Sequence, residues 1–171
     1  MILMKHHIGK YTLEQIKQNS TREKVANERF LSKLSKYDAR KLDEMFHDLH
    51  DEVFAEIDCL ECANCCRTLG PRITDRDIQK MAKALKIKPS QLVADYLRVD
   101  EDGDYVFRAM PCPFLDTDNF CRIYADRPVA CREYPHTDRP RMYQVLDVTL
   151  KNIPVCPAVS TIVEKLKQRF V

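Results

Sequence analysis

Residues 59–66 read CLECANCC, which places four cysteines in eight positions. No other stretch restricts the fold as tightly, because so many thiols in so short a run need partners elsewhere in the chain. Four more stand at Cys112, Cys121, Cys131 and Cys156. A chain of 171 residues is most simply one domain with an appendage, long enough to bury a core without cross-links. Eight cysteines in that length are sparser than the ~8–10% of a secreted disulfide scaffold. The opening MILMKHHIGK offers four apolar residues before charge begins, against the roughly 7–15 of a secretory h-region. No window approaches the ~20 apolar residues of a membrane span. The expectation is a cytoplasmic protein with no membrane association, whose reduced thiols bind metal before they form disulfides.

The spacing sharpens that expectation. Cys59, Cys62 and Cys65 recur every third residue, so an irregular turn can aim three sulfurs at one centre. C-x-x-C-x-x-C holds three corners of iron-sulfur clusters in bacterial ferredoxins, and C-x-x-C is half of a common zinc site. Cys66 follows directly, and adjacent side chains leave the backbone in divergent directions. One of Cys65 and Cys66 should therefore join Cys59 and Cys62, with the other facing a different site. Cys112, Cys121, Cys131 and Cys156 supply the remote donors. Two four-cysteine sites, one such site with spare thiols, and a polynuclear cluster all satisfy the spacing. Lone cysteines are usually buried core residues, but random placement rarely produces C-x-x-C-x-x-C-C. All eight are read as metal ligands. Four thiolates around Zn²⁺ or a [4Fe–4S]²⁺ core leave a charge of about −2. Arg67, Arg122, Arg127 and Arg132 stand close in sequence to offset it.

Other functions lose support. The 28 basic and 26 acidic residues nearly cancel, which gives no electrostatic case for nucleic acid. Gly9, Gly70 and Gly103 are too dispersed for a dinucleotide fingerprint or a P-loop. No catalytic set emerges: Asp126, His136 and Asp138 near the cysteines read as caps or solvated groups. Ser20, Ser32 and Ser35 lack a nucleophile's context. His6, His7, His47 and His50 are read as non-ligands, with His50 first in line should one bind.

The rest of the chain reads as mainly helical. Residues 21–58 carry no proline or glycine, and Leu31, Leu34, Leu42, Met45, Phe46, Leu49, Val53 and Ile57 form one helical stripe, so one long helix is expected. Residues 10–20 read as a short helix or a polar lead-in. Thr74 and Asp77 form a capping-box pattern for a helix over 75–85. Pro89 opens another over QLVADYLRV, followed by a turn at DEDGD and a strand at YVFRAM. Residues 112–124 read as a hairpin about Asp118-Asn119. Pro128 starts a brief helix that Pro135 ends, MYQVLDVTL suits a strand, and Cys156-Pro157 opens a last amphipathic helix.

CLECANCC, CPFL, CRIYADRPVACREYP and the later CP together resemble the YkgJ-like cysteine-cluster family, also called CxxCxxCC and described as a zinc- or iron-chelating domain. The likeness runs from Cys59 to about Pro157 and includes all eight cysteines with Pro113, Phe114, Tyr124, Arg127, Pro128, Arg132, Tyr134 and Pro135. It implies metal chelation and, in some descriptions, an iron-sulfur protein. A related pattern occurs in the much longer flagellin lysine methylases; no methyl-donor domain is recognisable in these residues, and that activity is not carried over. The expected architecture is mainly α with a few short strands. Residues 1–58 form an N-terminal helical segment packed on a cysteine-cluster domain, 59–171, that ends in a helix. Three functions follow. One is a metal-binding module holding zinc. Another is an iron-sulfur protein, passing electrons to a protein redox partner or using the cluster in catalysis. The third is a thiol redox switch without a permanent metal.

Overall fold

The computed structural model describes residues 7–8 and 11–170, with side chains from residue 11. His6 and the His7 side chain lie outside the described residues. The elements, in chain order, are β1 (His7–Ile8), β2 (Tyr11–Thr12), α1 (Leu13–Arg22), α2 (Lys24–Leu34), α3 (Ala39–Phe54), α4 (Cys59–Cys62), α5 (Asn64–Thr68), α6 (Asp75–Leu85), α7 (Pro89–Tyr96), β3 (Leu97–Val99), β4 (Tyr105–Phe107), α8 (Val129–Glu133), α9 (Leu146–Asn152) and α10 (Pro157–Arg169). The fold is mainly α, as expected, with two small antiparallel pairs, β1–β2 and β3–β4. By their contacts the residues divide into two compact units, residues 1–62 with 135–171, and residues 63–134.

In the first unit the helical stretch expected over 21–58 is present but broken. Ser35 donates to the Ser32 carbonyl, and the Asp38 side chain accepts from the Lys41 amide at 2.8 Å to cap α3. Short polar side chains that bond nearby backbone stop a helix without glycine or proline. Thr12 and Gln15 complete a capping box that starts α1. The core lies between the stripes of α3 (Leu42, Phe46, Leu49, Val53) and α10 (Val159, Ile162, Val163, Leu166), joined by Leu31 and Leu34 of α2. Leu42 and Phe46 are fully buried, and each such side chain contributes roughly 1.5–3 kcal/mol. The strand expected at MYQVLDVTL is instead a 3₁₀ turn, Met142–Gln144, followed by α9. Leu146, Thr149, Asn152 and Ile153 are the buried positions, and that three- to four-residue step is helical.

The second unit has a smaller core of Ile73, Ile78, Met81, Leu92, Leu97, Phe107, Phe114 and Ile123. Its α6 begins at the Thr74–Asp77 capping box, as the sequence indicates. The helix expected over QLVADYLRV ends at Tyr96; Leu97–Val99 pair with Tyr105–Phe107 around the DEDGD turn. Phe114 packs against Tyr96 and Phe107, with ring centroids 5.1 and 5.7 Å away.

Candidate metal centre

Five cysteines belong to the second unit, and backbone bonds bring the segments of Cys66, Cys112 and Cys121 together. The Cys112 amide donates to the Cys66 carbonyl at 2.8 Å, which ties α5 to the loop carrying Cys112. From there the chain doubles back through the expected turn, where Asn119 adopts φ 68° and the Asp116 amide donates to the Phe120 carbonyl. Leu115 and Cys121 form an antiparallel bridge, so Cys121 returns beside Cys112. Both thiols pack on the small core. Cys131 sits in α8. The first helical residue there, Val129, donates its amide to Asp77 Oδ1 at 3.0 Å. Asp77 belongs to α6 and is 2% exposed. Sequence reasoning identifies Asp77 only as a cap; its second bond joins residues far apart in the chain and leaves no local signature.

The electrostatics identify the neighbours. Burial pushes the Cys131 thiol up to about 12, with the thiolates of Cys66, Cys112 and Cys121 adding repulsion. Burial lifts Cys112 to about 11, opposed by the Phe114 amide and assisted by Cys66 and Cys121. Burial also raises Cys121, again with Cys66 among the repelling charges. Cys66 moves the other way, down to about 7. Its first cause is a hydrogen bond with Cys65, whose Sγ is 3.9 Å away; burial opposes this, and the Arg67 and Arg127 guanidiniums assist it. The sulfurs of Cys65 and Cys66 thus lie closer than the expected divergence of adjacent side chains implies.

The arginines are fixed where the charge argument needs them. Arg127 lies 3.8 Å over the Tyr124 ring and donates to the Tyr124 carbonyl, while Arg67 donates to Asn119 Oδ1. Arg122 donates to the Pro113 carbonyl and favours the Cys121 thiolate. Arg132 favours the Asp77 carboxylate.

The first unit holds the remaining three. Cys59 and Cys62 bracket α4, and Cys156 is the N-cap residue of α10. Cys62 and Cys156 pack on the large core. Burial pushes Cys156 up to about 12, opposed by the amides of Val159 and Ala158 and assisted by the Cys59 and Cys62 thiolates. His47 and His50 are structural rather than solvated: His47 Nε2 lies 3.0 Å from the Arg139 carbonyl, and His50 Nδ1 lies 2.8 Å from Thr137 Oγ1. Asp43, one turn earlier, accepts from the Arg141 and Met142 amides. Asp43, His47 and His50 follow helical spacing and pin residues 137–142 to α3.

Among the described residues, no three of histidine, cysteine, aspartate and glutamate stand at ligating distances from one point. The two sets are neighbouring thiols, not formed coordination spheres. Their chemistry nevertheless fits a thiophilic cation. Bringing four half-buried thiolates together costs desolvation and repulsion, and a bound cation offsets both while selecting the deprotonated form. Zinc and iron accept such sulfur sets.

The CxxCxxCC family, described as a "Putative zinc- or iron-chelating domain", matches residues 58–157. The chain belongs to this family. Membership supports chelation, with zinc or iron as the ion and the choice between them open. The "Uncharacterized protein MJ0661" of Methanocaldococcus jannaschii is 33% identical over 82 residues, covering 46% of this chain. This chain spans 44% of the length of that relative. No solved structure matches. Among the described residues, no helix of this CxxCxxCC chain is long and apolar enough to cross a membrane.

Proposed function

We propose that the chain is a metal-thiolate protein of a reducing, cytoplasmic compartment, in which Cys66, Cys112, Cys121 and Cys131 hold one zinc or iron centre. The observation that carries this reading is convergence: the Cys112 amide on the Cys66 carbonyl and the Leu115–Cys121 bridge gather three segments, and the charges of Cys66, Cys112 and Cys121 all act on Cys131. Cys59 and Cys62 act on Cys156, which makes these three thiols the second candidate set. Arg67 and Arg127 offset negative charge at Cys66, and Cys65 donates its S–H to that thiolate. Zinc would supply a redox-silent clamp on the irregular loops from Cys66 to Cys131. Iron with sulfide would supply electron transfer to a protein partner.

Anaerobic purification with elemental analysis and visible absorption tests the reading. A brown protein with stoichiometric iron and sulfide selects the iron-sulfur form, and a colourless one with bound zinc selects the other. A metal-free chain that stays equally folded after Cys66→Ser and Cys131→Ser contradicts both. A second reading, a thiol redox switch, draws on the depressed Cys66 pKa. It requires the reduced chain to be metal-free and Cys66 to be the first thiol oxidised by peroxide.

A further inference from the structure

We infer that Asp77 is the positioning residue of the Cys66 group: it holds Cys131 at the centre by tethering the start of α8. This rests on the four-thiolate reading above. Asp77 divides its carboxylate between two tasks. Oδ2 accepts from the Thr74 amide at 3.0 Å and the Thr74 hydroxyl at 2.7 Å, which closes the cap of α6. Oδ1 accepts from the Val129 amide at 3.0 Å. A cap needs only the first task.

The second task has a defined consequence. The five-residue α8 carries Cys131 at its third residue and has no side-chain cap of its own. One turn so short contributes little stability by itself. The first amides of a helix are its orphan donors, and Val129 supplies one of them to a carboxylate buried on another element. Asp77 is also 2% exposed, so an unpaired oxygen there would be costly. The bond therefore fixes where α8 begins, and Cys131 is two residues further on. Arg132, one residue beyond the thiol, favours the same carboxylate and adds to the tether.

Co²⁺ is a suitable probe, because tetrahedral thiolate coordination gives it intense visible absorption. The reduced full-length chain is titrated with Co²⁺ under anaerobic conditions as wild type, Asp77→Ala and Thr74→Ala. Thr74→Ala removes the cap hydroxyl and leaves the Oδ1–Val129 bond, so it serves as the control for a weakened α6. Asp77→Ala should lower Co²⁺ affinity about tenfold or more, the scale of losing a hydrogen bond to a charged group. Thr74→Ala should stay within about twofold of wild type. Should Asp77→Ala fail to fold, Val129→Pro deletes the donor at a partly exposed position and leaves the Asp77 carboxylate and the α6 cap in place. Val129 is the first helical residue, where proline is accepted, and Pro128 at φ −50°, ψ 150° is already in the conformation a following proline demands. It should weaken Co²⁺ comparably. If Asp77→Ala, or Val129→Pro in its place, binds Co²⁺ as tightly as Thr74→Ala, the tether is overturned while the four-thiolate centre stands. A wild type that yields no thiolate–cobalt absorption overturns the centre and the tether together.

Discussion

The two cysteine groups rest on opposite structural foundations. Cys156 and Cys62 border a large apolar core in which Leu42, Phe46, Ile162 and Leu166 are almost wholly buried. Cys66, Cys112, Cys121 and Cys131 hang on short helices, a single-bridge turn and a smaller core. Their charges differ too. Burial and two thiolates act on Cys156, against two helix amides. The Cys65 hydrogen bond, assisted by two guanidiniums and opposed by burial, brings the Cys66 thiol down to about 7. A unit with a substantial core can carry thiols as passengers, whereas one with short elements depends on what its thiols bind.

Metal removal should separate the units most. Anaerobic chelation should release roughly 10 kcal/mol of stabilisation per structural site. Amide hydrogen exchange should then rise sharply across residues 63–134 and far less in α3 and α10. Equal loss of protection in both units would erase the contrast.

Core truncation is the next largest effect. Phe46→Ala and Phe114→Ala should each cost about 3–5 kcal/mol by denaturant titration, because both rings are buried. Only Phe114→Ala should also weaken metal retention, since Phe114 lies between Cys112 and Cys121 in the turn that pairs them. Metal loss from Phe46→Ala alone would reverse the assignment of support to the two cores.

The pH dependence of the metal-free reduced chain sharpens the comparison further. Cys66 lies below the ordinary thiol value of 9.0, so it adds stability as pH rises from about 7 to 9 and loses it as pH falls back through 7. Cys112 and Cys131 lie above that value, at about 11 and 12, so their contribution is complete below 9 and lost as pH rises through those values. Cys156 shows only this falling behaviour. NMR-monitored denaturation across pH 6–11 should therefore show a maximum near pH 9 for the second unit, and a decline without a rise from Cys156 in the first. Alkylation by iodoacetamide near pH 7.5 should modify Cys66 well before Cys156.

The smallest effect is expected at the caps. Thr12→Ala should cost about 1 kcal/mol in the first unit, measured by thermal denaturation, without changing metal content.

Much of this was legible from residue order, and the exceptions have physical causes. The cap at Thr74, the helix start at Pro89 and the turn at Asn119 are local chemistry, and each stands where the sequence puts it. The break at residues 35–38 escaped because serine and aspartate end a helix through bonds that the apolar stripe does not record. Residues 142–150 read as a strand because Met142, Leu146, Val148 and Leu150 satisfy a partial alternation; burial of Thr149 and Asn152 reveals the helical period. The cysteine spacing nominated eight candidate donors, but the approach of distant thiols to Cys66 depends on long-range backbone bonds such as Cys112 to Cys66. The Asp77–Val129 bond spans 52 positions and is equally invisible to local pattern.

Metal content of the anaerobically isolated chain tests the division most directly. It is measured for wild type, for Cys112→Ser with Cys131→Ser, and for Cys59→Ser with Cys156→Ser. Two separate groups predict that each double variant loses its own share of metal and keeps the other. If both variants lose the same complement, or if the wild type is metal-free yet fully folded, the two-group account is wrong.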